Sequence, residues 1–405
     1  MHACQSDEKK TNARAINLPA DAELIISELA AHGFDAYAVG GCVRDMLLGT
    51  EPKDWDITTS AEPHDVKRIF KRTVDTGIKH GTVTVLIGRR PYEVTTFRID
   101  GEYKDGRRPS EVKFSTDIKE DLARRDFTMN AIAYKKDTGF VDPFGGVNDI
   151  RARIIRCVGD ASRRFNEDAL RMLRLFRFAA QLNFKIDIET YSAAKKNAGK
   201  LTDISAERIR EELTKLLHSG HTEILPQLSD AGLWLYEPDL YAAAKMLPNC
   251  KKNTAMLYAV LTADGGEQAA KKFMRGLCFD NKTLNETAQY VKYLHAPVPA
   301  GRYELKKMLQ NIPPPYFQNL IELKNIFYRD AQSVSEAEHA LATCGEIVQN
   351  NECYLLRDLA IDGSDLIGLG YPPGKKVGET LRTLLEAVIK NPCANDRESL
   401  IKLLQ

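Results

Sequence analysis

The chain has 405 residues, too many for one ordinary hydrophobic core, and implies roughly two to four domains. Its 57 basic residues nearly cancel its 56 acidic ones, which excludes a polyanion-binding surface spread over the whole molecule and confines any nucleic-acid contact to local patches. No apolar run approaches a membrane span, residues 1–14 lack the apolar core of a secretory signal, and the eight cysteines form no CxxC pair. A membrane protein, a zinc site and a disulfide framework are therefore not expected, and a reducing cytoplasm fits this usage.

Residues 1–17 read as a disordered lead-in and residues 21–32 as a helix. An apolar strand over 34–39 (FDAYAV) then meets a helix over 43–48, which sets Gly40 and Gly41 at a strand-to-helix turn. Backbone amides at such a turn approach a phosphate closely, and Arg44 adds a planar cation suited to phosphate oxygens. Alone, a Gly-Gly turn is only a turn; its neighbour changes the reading. In DWDITT (54–59), read as a strand, alternation puts Asp54 and Asp56 on one face and Trp55 and Ile57 on the other. Two like charges at that spacing repel unless a cation lies between them, and hard oxygen ligands favour Mg²⁺ completed by substrate phosphates. In isolation the same pair also suits a solvated strand edge.

Helices over 63–70 and 119–123 and strands over 82–87, 92–99, 111–114 and 131–134 complete an α/β head spanning 18–150. If the strand carrying Glu93 (YEVTTFR, 92–98) pairs beside the first, that carboxylate reaches the same metals, and three acids support two-metal activation of a hydroxyl nucleophile. Residues 100–109 (DGEYKDGRRP) read as a mobile loop. The segment 124–131 (RRDFTMNA) suits either ribose and phosphate contacts or the entry to a buried strand.

Beyond residue 150 the periodicity turns helical to the end, dividing into a neck (151–220), a body (221–330) and a tail (331–405), with turn signals at 311–315 and 371–374. A helix over 166–182 places Ala169, Met172, Leu173, Phe176 and Ala180 on one side. Asp168, Arg171 and Arg174 follow at i, i+3 spacing on the other, with Arg177 at its margin. Between 151 and 177 eight arginines face three acids, and arginine in place of lysine at every one of those positions suits planar recognition of bases or phosphates.

Taken together, GGCVRD, DWDITT, HGTVTV, EVTTFR, DGRRP, RRDFTMNA, DPFGG, EDALRMLRLFRFA and, more weakly, SAERIREEL (205–213) and LAIDGSDL (359–366) resemble the bacterial CCA-adding enzymes. These are tRNA nucleotidyltransferases of the second class, within the DNA polymerase beta-like superfamily. The resemblance implies an α/β nucleotidyltransferase head with a small mixed sheet, followed by an all-α neck, body and tail. It implies that Gly41 and Arg44 contact the triphosphate, that Asp54 and Asp56 ligate Mg²⁺ with Glu93 as third carboxylate, and that Arg125 and Asp126 belong to the nucleotide pocket. Asp168 with Arg171 would form the template that pairs with C or A, and Arg174 and Arg177 match further nucleotide positions. The implied reaction adds C, C and A to a tRNA 3′ end from CTP and ATP, and the implied partner is the tRNA acceptor end, gripped by body and tail. Many relatives carry an HD phosphohydrolase motif; residues 258–264 (YAVLTAD) hold no His-Asp pair, so no such activity is expected. A-adding and poly(A)-polymerising relatives share most of the head, whereas CC-adding forms tend to lack the loop that residues 102–108 supply. A tRNA-binding chaperone with an inactive head is the reading from another class; intact Asp54, Asp56 and Arg44 speak against it.

Overall fold

A computed structural model describes residues 17–101, 112–234, 239–390 and 395–404. The expected lead-in and nearly all of the loop expected over 100–109 lie outside the described residues. The chain divides into two compact units at residue 235.

In the first unit, helix α1 (Ala20–Ala31) buries Ala22, Ile25, Ile26 and Leu29, one stripe at helical spacing. Strand β1 (Ala36–Val39) is buried throughout, as a central strand should be. The chain turns at Gly40 into α2 (Gly41–Leu47). Gly40 has φ +79°, a conformation that favours glycine, and a side chain there would also press on Arg125 Nη1 at 3.0 Å. Next come β2 (Asp56–Thr59) and α3 (Pro63–Ile69), whose first turn takes Pro63 and Asp65 and whose last turn takes Lys67 and Arg68, matching the helix dipole. A meander follows: β3 (Thr73–Gly77), β4 (Thr82–Ile87) and β5 (Arg90–Thr96).

The strand expected over 92–99 is in fact broken. Phe97 is fully buried, and β6 (Arg98–Asp100) leaves the main sheet to pair with β7 (Val112–Phe114). After α4 (Ile118–Ala123), the strand expected over 131–134 begins later, as β8 (Ala133–Lys135), because a 3₁₀ turn occupies Thr128–Asn130; β9 (Gly139–Val141) pairs beside it. The main sheet runs β3-β4-β5-β2-β1-β8-β9 and is mixed: β2 and β5 are parallel, the other neighbours antiparallel. Sequence reading missed β3 and β9, whose polar or glycine-rich stretches carry no apolar alternation.

Helix α5 (Gly146–Ala152) is capped by Asp142, whose carboxylate accepts from the amides of Gly146 at 2.7 Å and Val147 at 2.9 Å. Short strand β10 (Ile154–Ile155) leads to α6 (Ala161–Glu167), α7 (Leu170–Leu182), β11 (Lys185–Ile186), which pairs parallel with β10, then α8 (Ile188–Asn197) and α9 (Ala206–Leu217). The single helix expected over 166–182 is thus two, with Asp168 in extended conformation at the break.

All described elements of the second unit are helical. Pro313 and Pro314 open the helix Pro314–Phe327, and Gly374 at φ +115° precedes Lys375–Ile389, so both turn signals mark helix starts. Tyr258, Tyr290 and Phe317 are fully buried, and a separate apolar cluster gathers Leu366, Leu384, Val388 and Leu400. Lys324, 5% exposed, donates to the carbonyls of Leu294 at 2.7 Å and Ala296. Burial brings its ammonium down to about 8. Among the described residues no helix is long and apolar enough to cross a membrane.

A Cβ added at Gly146 would sit 2.1 Å from the Thr128 carbonyl oxygen, closer than any relaxation of a side chain can mend. Gly146→Ala is expected to lower the unfolding free energy by about 3 kcal/mol in urea titration.

Candidate active site

The parallel pairing of β2 with β5 aligns Asp56 with Glu93, so the two carboxylates stand side by side on one face of the sheet. Both are open to solvent, while Ile57 and Val94 beside them are buried. Asp54 lies in the bend before β2 and not in the strand, so its nearness to Asp56 comes from the bend and not from the alternation expected. Asp56 holds its proton above the usual carboxylate range. The main cause is desolvation by the surrounding protein, followed by repulsion from Glu93, with Arg125 opposing and Asp54 adding to it.

Among the described residues no group of three or more His, Cys, Asp or Glu side chains is arranged to hold a metal ion by itself. What the acids offer is an open, oxygen-only donor set that is electrostatically unsatisfied by itself. That fits a hard divalent cation completed by phosphate oxygens and does not fit zinc.

Arg44 faces the glycine turn from within α2. A Cβ on Gly41 would lie 3.8 Å from its Nη2. The guanidinium donates Nε–H and Nη2–H to Asp45 Oδ1 at 2.9 and 2.7 Å and Nη1–H to Asn130 Oδ1 at 2.8 Å. A guanidinium carries five N–H donors, so the fork is fixed in place and still has donors for a ligand. Arg125 also closes on this turn, and its Nη2 donates to Asp121 Oδ2 at 3.1 Å.

Asp121, which sequence reading passed over, is fully buried. It accepts from the Thr58 hydroxyl at 3.2 Å, from Arg124 Nε at 3.0 Å and from Arg125. Burial alone would raise its pKa, but Arg125 and Arg124 outweigh burial and hold it below the ordinary range. The signal existed: an acid three and four residues before an arginine pair on a helix. Thr58 lies on the same face of β2 as Asp56, so this buried charge ties the carboxylate strand to the arginine pocket.

Asp126, 8% exposed, accepts from the Phe127 amide at 2.8 Å, Asn130 Nδ2 at 3.1 Å, and Arg174 Nε and Nη2 at 2.9 and 2.7 Å. Burial pushes its pKa up, and Arg174, Asn130 and Arg171 more than reverse this, to about 2. Arg177 is buried, donates to Glu212 and to Gln181 Oε1 at 2.8 Å, and lies over the Phe178 ring.

Asp168, one residue before the α7 N-cap Ala169, accepts from the Leu170 amide at 3.0 Å, which accounts for the helix break. Its carboxylate also takes the Arg208 fork at 2.8 and 3.3 Å. Arg171 donates to Glu167 Oε2 at 2.8 Å and to the Arg124 carbonyl at 3.2 Å. Its amide bonds the Asp168 carbonyl at 3.0 Å, so acceptor and donor stand one turn apart, each anchored by its own partner. Arg208 and Glu212, from the motif at 205–213, are thus the counter-charges of Asp168 and Arg177; sequence reading quoted the motif without seeing that role.

The folded-state pKa of Asp126 lies below its ordinary 3.8, so its contribution to stability is complete above that value and is lost as pH falls towards 2. Asp126→Asn is expected to cost about 2 kcal/mol at pH 7, and the urea midpoints of variant and parent should converge between pH 4 and about 2.

Comparison with known proteins agrees with this geometry. Residues 36–156 match the family model "Poly A polymerase head domain", residues 183–242 "Probable RNA and SrmB-binding site of polymerase A", and residues 249–404 "tRNA nucleotidyltransferase domain 2". A CCA-adding enzyme of Limosilactobacillus fermentum is 38% identical over 401 residues, covering 95% of this chain and 97% of that protein. One of Geobacillus kaustophilus is 38% identical over 394 residues, covering 92% and 93%. The crystal structure of the Bacillus stearothermophilus CCA-adding enzyme in complex with CTP superposes with TM-score 0.80 at 34% identity over 95% of each chain. The shared head, the helical remainder and full-length identity at this level lead to one conclusion: the chain belongs to the family of the CCA-adding enzymes.

Proposed function

We propose that the protein is a CCA tRNA nucleotidyltransferase, adding C, C and A to the 3′ end of tRNA from CTP and ATP without a nucleic-acid template. The observation that carries this reading is the Asp56–Glu93 register beside an anchored Arg44, within a chain 38% identical to CCA-adding enzymes over nearly its whole length. A divalent metal is general to nucleotidyltransferases of this kind, and we assign it as Mg²⁺, held by Asp54 and Asp56 with Glu93 as the third carboxylate. When bound, it supplies polarisation of the α-phosphate and a lowered pKa for the attacking 3′ hydroxyl.

In each cycle the hydroxyl oxygen bonds the α-phosphorus and the bond to the β-phosphate oxygen breaks, releasing pyrophosphate. Gly41 gives the phosphates close access to the α2 backbone. Arg44, held by Asp45 and Asn130, turns its remaining donors to the leaving pyrophosphate. Arg125 and Asp126 line the nucleotide pocket, Asp126 through its grip on Arg174. Asp168 and Arg171 present an acceptor and a donor to the base edge, and a mismatched base leaves buried groups unpaired at ~1–3 kcal/mol each. Arg174 and Arg177 complete the cationic wall.

We assign residues 151–220 to a neck, 221–330 to a body and 331–405 to a tail, the helical body and tail gripping the acceptor end of tRNA through shape and phosphate contacts. We place the protein in the cytoplasm, in keeping with its described cysteines, none of which forms a disulfide.

Incubation with tRNA lacking its terminal CCA decides the activity. CTP alone should give two-nucleotide extension and CTP with ATP a third; failure to add C would reduce the reading to A addition. Asp56→Ala should lower turnover more than about a hundredfold while tRNA affinity stays within about twofold, whereas loss of tRNA binding would point to misfolding. Asp168→Ala should cut discrimination against UTP and GTP by about tenfold or more; unchanged selectivity would refute its template role.

A further inference from the structure

One aromatic ring underlies much of the cationic wall. Phe178, in α7, is 6% exposed. The guanidinium carbon of Arg177 lies 3.9 Å from its ring centroid, that of Arg44 5.2 Å and that of Arg174 5.5 Å. Arg174 and Arg177 come from the same helix, but Arg44 arrives from α2, far away in sequence. Phe127, edge-on at 5.9 Å and 85°, fixes the ring against the 124–131 segment. Three cations gathered within about 6 Å of one point repel one another, and carboxylates answer them: Asp45 for Arg44, Asp126 for Arg174 and Glu212 for Arg177, with Glu212 also 4.0 Å from Arg174. The negative face of an aromatic ring is the central attraction that draws the guanidiniums together, and it takes up no donor that a phosphate would use.

Resting on the reading that Arg44 and Arg174 face the incoming triphosphate, we propose that Phe178 is a positioning residue for triphosphate binding, its π-face holding the two guanidiniums at the spacing the phosphates require. Base choice rests on Asp168 and Arg171, whose anchors are Arg208 and Glu167, so the ring acts equally on CTP and ATP. An aliphatic side chain of similar volume fills the space without supplying the attraction.

The test is a fluorination series at position 178, with monofluoro-, difluoro- and trifluorophenylalanine incorporated in the full chain. Fluorine withdraws the negative charge of the ring face while nearly preserving its shape, so folding is kept; thermal midpoints across the series check this. KM for CTP and for ATP should rise in step with fluorine number, to about tenfold at three fluorines, with kcat within about threefold and the CTP-to-ATP preference constant. A flat KM, or a rise confined to one nucleotide, overturns the proposal. Arg44→Ala is the reference. If it raises KM while fluorination does not, the ring proposal alone fails; if it leaves KM unchanged, the placement of Arg44 at the phosphates is what fails.

Discussion

Everything at this site depends on a parallel strand pairing that sets two carboxylates of like charge next to each other. Asp56 and Glu93 could be separated by a shift of one residue in register, but that shift would also turn Ile57 and Val94 out of the core. Hydrophobic burial on one face of the sheet therefore enforces electrostatic repulsion on the other. The fold supplies part of the compensation through Arg125 and leaves the rest to whatever cation and polyphosphate arrive. A site built this way is poised because it is incomplete.

The same logic explains how a nearly neutral chain handles polyanions. The arginines between 151 and 177 do not form a bare positive surface. Arg156 is held by Asp149 and Asp187, Arg164 and Arg171 by Glu167, Arg174 by Asp126 and Arg177 by Glu212. Each carboxylate fixes a direction for its guanidinium, as a planar fork allows. Charge here is used for orientation at short range, where shape can distinguish partners, and little is left for long-range attraction.

Much of this was legible in the residues themselves. The glycine turn, Arg44, the acid pair and Glu93 are close in sequence or carried by strands with clear alternation, and the structure supplies the strand pairing on which the place of Glu93 beside Asp56 depended. What escaped were features set by tertiary context. Asp54 falls before the strand because the bend after Pro52 delays pairing until Asp56, which periodicity does not reveal. The helix over 166–182 looked continuous because Ala169 fits the apolar stripe and Asp168 the polar one, whereas the Asp168 side chain competes for the Leu170 amide and ends one helix to begin another. Asp121, Phe178 and Arg208 owe their roles to partners 40 to 134 positions away or to a packed interior, and a residue's own neighbourhood carries little trace of such partners.

The buried ammonium of Lys324 has a consequence of another kind. With no carboxylate beside it among the described residues and a proton affinity lowered to about 8, it is more easily neutralised folded than unfolded, so raising the pH from about 8 towards 10.5 relieves the native state. A neutral amine still carries two N–H groups, as many as the carbonyls of Leu294 and Ala296 require. Deprotonation therefore leaves the helix end capped, and alkaline weakening of the second unit has to originate at other groups.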